Sequence, residues 1–98
     1  MGTIAENSEE AIRFFEEAVK IAKKLCSEFP GTENQIVLTQ NTGSLALQLS
    51  QVGRKEAAFE LFRHNIDLLV TLTSQNPGLT SGWKLLAGNY HNYCHVMF

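Results

Sequence analysis

From Ser8 onward the apolar positions settle into steps of three and four. Ala11, Phe15, Ala18, Ala22, Leu25 and Phe29 form one stripe of an α-helix, and Ile12, Val19 and Cys26 widen it. Ser8 stands where a hydroxyl caps a first turn, Glu9 and Glu10 suit the positive end of the helix dipole, and Pro30-Gly31 stops the segment. The pattern predicts a first helix over about 8–29.

Thr32-Glu33-Asn34-Gln35 has the form of a capping box, in which a hydroxyl and an amide three residues later each satisfy a free backbone N–H. A second helix is therefore expected over about 33–52, with its stripe at Leu38, Thr42, Leu45, Leu49 and Val52 and with Gly53 as the left-handed residue that ends it. Gly43 interrupts that helix with a weak helix former. A third helix, about 54–76, follows from Ala58, Phe62, Ile66 (beside Asn65), Leu69 and Leu72, and Asn76-Pro77-Gly78 breaks it. A fourth, about 80–97, follows from Trp83, Leu86, Tyr90, Tyr93 and Met97. On these stripes Phe15, Phe62 and Trp83 are expected in the core.

The first and third helices repeat each other. Ala11 superposes on Ala58, Phe15 on Phe62, Leu25 on Leu72, Ser27 on Ser74 and Pro30-Gly31 on Pro77-Gly78, all at an offset of 47 residues (Pro30 to Pro77). The second and fourth helices keep a different register, because matching Leu45 to Leu86 sets them 41 residues apart. The two hairpins are therefore not strict copies.

These residues resemble the tetratricopeptide repeat (TPR) family, in which small residues sit where two helices cross closely and larger apolar residues surround them. Leu45-Ala46, Leu49, Gly53, Ala58 and Phe62 stand at the family's large-small pair, large residue, turn glycine, alanine and aromatic. Trp83, Leu86, Ala87 and Tyr90 fit its tryptophan, leucine, small residue and tyrosine. Asn65 departs from the small residue usual on the second helix of a repeat. The 47-residue period is similar to the long-helix variants found in large signalling proteins with nucleotide-binding domains. The resemblance implies an all-α fold of four antiparallel helices forming TPR-like helix-turn-helix repeats, a short right-handed α-solenoid in one domain spanning 1–98. In repeat terms the chain reads as one full repeat flanked by a half repeat at each end.

Composition narrows the function classes. At 98 residues, 44% apolar and 18% charged, the chain has the make-up of one small globular domain. A net charge of −2, with no basic run longer than Lys23-Lys24 or Arg54-Lys55, argues against a surface that tracks phosphates, so no nucleic-acid partner is expected. The first residues lack a secretory pattern and no apolar run approaches the ~20 residues that span a bilayer, which predicts a cytoplasmic protein with no membrane partner. Cys26 and Cys94 fall in apolar helical patterns and read as buried free thiols.

Candidate chemistry is sparse. His91, Cys94 and His95 lie close together on a helix but fall short of the four ligands of structural zinc, and His64 and Cys26 have no paired-ligand spacing, so no metal is assigned. Cys94, the better-placed thiol, sits at a chain end that cannot hold a base and an orienting group in catalytic geometry. Glu9-Glu10 and Glu16-Glu17 point away from the apolar stripe and pair with Arg13 and Lys20 at four-residue spacing, as a solvated face does. No phosphate loop, dinucleotide fingerprint or nucleophile elbow occurs, so the chain reads as a non-enzyme without a cofactor. The resemblance implies a protein–protein interaction scaffold whose concave surface takes a peptide or partner helix. On this chain that surface comprises Gln40, Gly43, Leu47, Ser50 and Gln51, with Lys84, Gly88, His91 and Asn92 from the fourth helix. The alternative is a structural protein that forms a homodimer through its unpaired terminal helices, or a piece of a longer repeat array, and the least favoured reading is a metal-binding sensor through His91, Cys94 and His95.

Overall fold

The computed structural model describes residues 4–97 as four α-helices: α1 (Ile4–Glu28), α2 (Thr32–Gln51), α3 (Lys55–Gln75) and α4 (Thr80–Met97). The all-α architecture and the four helices match the spacing, and the ends fall within one residue of expectation except at the amino end. There α1 is already helical at Ile4, which puts Ser8 inside the helix and not at its cap. Ile4 to Asn7 contain no glycine or proline to stop a helix running back.

The turns show how each helix ends. Gly53 takes a left-handed φ of 86°, its N–H donates to the Ser50 carbonyl, and the Arg54 N–H donates to the Leu49 carbonyl at 2.9 Å. This is the paired arrangement that satisfies orphan carbonyls at a helix end. The expected capping box does not form, because the cap of α2 is Gly31 in extended conformation and Thr32 is the first helical residue. Asn34 serves that turn differently, its Nδ2 donating to the Phe29 carbonyl at 2.8 Å and tying α2 to the end of α1. Glu9 also chooses another partner than Arg13: it pairs with Arg54 at 2.9 Å, bridging α1 to the α2–α3 turn.

Consecutive helices pack on one another, α2 also touches α4, and the backbones of α1 and α3 do not come together. The chain forms a slab of 44 × 32 × 19 Å. Two apolar clusters fill it. One joins Ile12 and Val19 of α1, Leu45, Ala46 and Leu49 of α2, and Ala58 and Phe62 of α3. The other joins Ile36 with Ile66, Leu69, Leu72 and Leu86. The helix α4 reaches the first cluster through the half-buried Tyr93 and Val96, and in each helix that reaches both a polar residue falls between the apolar ones: Thr39 and Thr42 in α2, Asn65 in α3, Asn89 in α4, all buried.

Burial departs from the predicted stripes in the two terminal helices, α1 and α4. The shared register of α1 and α3 gives different outcomes, since Leu72 is 4% exposed but Leu25 is 41% exposed. The central α3 buries two faces, whereas α1 buries only the side centred on Ile12, Val19 and Ala22. In α4 the stripe through Trp83 and Tyr90 is exposed, contrary to the expectation that Trp83 is core. The buried side runs through Gly82, Leu86 and Asn89, one residue earlier at alternate turns. Gly82 explains the rotation: a Cβ there would lie 2.9 Å from Leu79 Cδ2 and 3.1 Å from Thr73 Cγ2, so glycine lets α4 close on α3. Trp83 instead lies over the turn, its Nε1 donating to the Pro77 carbonyl at 3.0 Å. Met97, assigned to the same stripe, has its side chain outside the described residues.

Candidate functional site: the groove between α2 and α4

The contact between α2 and α4 opens a groove of about 210 Å³ on one face of the slab. From α2, residues 40, 43, 44 and 47 line it at helical steps; from α4, residues 84, 85, 88 and 92 do the same. Gln40 and Asn92 bring amides, Lys84 an ammonium, Ser44 a hydroxyl and Leu47, 38% exposed, an apolar contact. No carboxylate lines the groove, so its one charge is positive.

The floor is a hydrogen-bonded amide pair. Asn65 Nδ2 donates to the Thr39 carbonyl at 2.9 Å and to Asn89 Oδ1 at 3.1 Å, and Asn89 Nδ2 donates to the Leu85 carbonyl at 2.7 Å. This pair links α2, α3 and α4 under the groove. Gly43 fits against it, because a Cβ at that position would lie 3.4 Å from Asn65 Nδ2 and 3.5 Å from Asn89 Oδ1. Asn65, the departure from the small residue of the TPR pattern, is thus the residue that holds the helices in register.

Gly88 is different. It lies in the middle of α4, and a Cβ there would meet nothing within 4 Å. Glycine in a helix interior costs about 0.8–1 kcal/mol relative to alanine, and no contact among the described residues calls for it. The space over Gly88 opens into the groove.

Of the nine residues placed on the concave surface from sequence, the structure brings six together: Gln40, Gly43, Leu47, Lys84, Gly88 and Asn92 all line this groove. Ser50 lies beyond it near the end of α2, its Oγ donating to the Leu47 carbonyl, and Gln51 is exposed at that helix end. His91 points elsewhere, its ring stacked on His95 with centroids 6.5 Å apart. Thr39, Ser44, Leu85 and Asn89 also line the groove and were absent from the sequence list. Their signal is present, because each lies three or four positions from a residue already on it.

Larger concavities also occur among the described residues. One of about 450 Å³ lies against Phe59 and Val96 between charged Lys55, Glu56 and Glu60, and one of about 550 Å³ surrounds the Pro30-Gly31 turn. A third, about 310 Å³, separates α1 from α3 over Thr42 and Asn65. None has a helix-interior glycine that leaves space open.

Among the described residues no three His, Cys, Asp or Glu side chains converge as metal ligands. Both cysteines are free, Cys26 half-buried and Cys94 exposed, so Cys94 is not the buried thiol expected of it. No described helix is long and apolar enough to cross a membrane. Comparison with known proteins finds no family model, no curated protein and no solved structure that matches the chain. Fold and groove define a four-helix all-α protein with a mostly apolar interhelical cleft edged by amides and one positive charge.

Proposed function

We propose that the chain is a TPR-like interaction module, a short right-handed solenoid that binds an extended peptide segment between α2 and α4. The observation that carries this reading is Gly88, a helix-interior glycine over open space. A passing peptide backbone needs such space, and a β-carbon would intrude on it. The packing order supports the reading too, since alternate helices α2 and α4 meet on one face while α1 and α3 stay apart. That is how stacked helix pairs curve to present one concave side.

The groove's chemistry selects the partner class. Gln40 and Asn92 pair with peptide amides and carbonyls, and Lys84 favours a segment carrying a carboxylate. In this reading the chain is a cytoplasmic scaffold and not an enzyme, working where Cys26 and Cys94 stay reduced.

A substitution series at one position tests it. Gly88→Ala is expected to raise stability by about 0.8–1 kcal/mol, read from the urea midpoint. Gly88→Trp is expected to fold with wild-type helicity and to lose at least tenfold in affinity for peptides selected from a carboxylate-rich library on the wild-type chain. Equal affinity in the tryptophan variant would place the binding surface elsewhere.

A further inference from the structure

The outer face of α1 carries a pattern that the monomer leaves unused. Phe14 is 70% exposed, Ile21 60% and Leu25 41%, and the half-buried Ala11 and Ala18 lie between them. Ala11, Phe14, Ala18, Ile21 and Leu25 follow at steps of three, four, three and four, the repeat by which two helices mesh side chains along a shared seam. Small and large residues alternate from Ala11 to Ile21, and Leu25 adds a further large one. Glu10, Glu17 and Lys24, all exposed, flank the seam on the side away from α2.

We propose that this face pairs with the same face of a second copy, α1 against α1 in antiparallel order about a two-fold axis. In that register Ala18 receives Phe14 of the second copy and Ala11 receives its Ile21, so both of these large side chains meet an alanine. The flank then sets Glu10 opposite Lys24 twice, once on each side of the axis, and Glu17 opposite its own copy on the axis. Self-complementarity of this kind is what a two-fold interface requires. The outer face of α4, with exposed Trp83 and Tyr90, lacks it: α4 contains no acidic residue, and Lys84 is its lysine, so two such faces offer no opposite charges to pair. The exposed parts of Phe14, Ile21 and Leu25 amount to about 350 Å² per copy, so with the flanking stems the pair buries on the order of 1,000 Å², the size of a weak, concentration-dependent complex. The face lies apart from the α2–α4 groove, which α1 does not line, so this inference and the peptide-binding reading stand or fall separately.

Sedimentation over a concentration series tests it. The wild-type chain is expected to approach twice its 10.9 kDa mass. Ile21→Glu, at an exposed position, is expected to stay helical and remain monomeric at every concentration. Lys24→Glu or Glu10→Lys alone sets like charges opposite each other and is expected to weaken the dimer about threefold to tenfold. The two together restore opposite pairs and wild-type affinity. Glu17→Gln is expected to tighten the dimer, because it removes the like pair on the axis. A wild-type monomer throughout the series overturns the proposal, as does a dimer indifferent to Ile21→Glu but abolished by Trp83→Ala. Failure of the double charge swap to recover what either single swap loses overturns the antiparallel register.

Discussion

Truncating Phe62 to alanine is expected to lower stability by about 3–5 kcal/mol, the largest effect of any single truncation in this chain. Phe62 is fully buried, and so are the two alanines of its cluster, Ala46 and Ala58. Those alanines let α2 and α3 approach closely, and being short they cannot extend into the space a removed ring leaves. The cavity term therefore adds to the lost transfer energy instead of being relieved by collapse. A domain this size holds about 5–15 kcal/mol in total, and each kcal/mol moves its melting temperature by about 4–8 °C, so the variant should melt at least 12 °C below the parent. The matched control is Phe15→Ala. It removes the same ring at the same position of the repeat, but Phe15 is only partly buried at the edge of that cluster. It should cost less than half as much. Equal losses would mean that α1 is held as firmly as α3, against the one-sided packing described above.

The second large effect is electrostatic. Asn65→Asp replaces a buried amide whose Nδ2 donates to the Thr39 carbonyl and to Asn89 Oδ1, so a carboxylate there would face two acceptors. An uncompensated buried charge of this kind costs about 3–5 kcal/mol at neutral pH. The pH dependence has a definite sign. Burial and the facing acceptors disfavour the ionised form, which raises the folded-state pKa of the new carboxyl above its unfolded value of about 3.9. The folded state then binds the proton more tightly than the unfolded state, so stability is greatest below about pH 4. It falls as pH rises toward the folded-state pKa, by up to about 1.4 kcal/mol per pH unit. Relative to the wild-type chain, whose asparagine does not titrate, the variant should recover in acid. Urea midpoints from pH 4 to 7 measure this directly. A deficit independent of pH would show that the new carboxyl stays solvated and that the amide layer is open to water.

What could be read in the sequence, and what could not, divides along packing partners. Helix-forming rhythm and stop signals are local, so the Pro30-Gly31 and Pro77-Gly78 breaks and the left-handed Gly53 place the four helices well. Burial is set by neighbours. The α1 stripe extends through Leu25 and Phe29 on paper, yet the backbone of α1 approaches α2 alone, and both residues stay well exposed. In α4 the buried face is marked by Gly82 and Asn89, residues that a count of apolar positions passes over, so the aromatic stripe one step round the helix looked like the core. Capping also depended on geometry beyond the motif, because a glycine one residue earlier took the position that Thr32 was expected to hold.

The groove was partly legible for a related reason. Gln40, Gly43 and Leu47 share one side of α2, and Lys84, Gly88 and Asn92 one side of α4, so helical spacing alone groups each set. That the two sets face each other is a tertiary fact, which the resemblance suggested and the contact between α2 and α4 provides. Ser50, Gln51 and His91 fall outside because the lining stops at Leu47 and Asn92. The amide floor was the least visible part. Asn65 looked like a flaw in a small-residue pattern, and only the hydrogen bonds to Thr39 and Asn89 show what it holds together.

The most direct test is to titrate isotope-labelled protein with a library-selected peptide and follow the backbone amides. The account predicts that the resonances of Gly43, Ser44, Leu47, Gly88 and Asn92 move together along a single binding curve, while those of Phe14, Ile21 and Leu25 hold still. Shifts that gather on α1 or on the outer face of α4, with the groove amides unmoved, would contradict it.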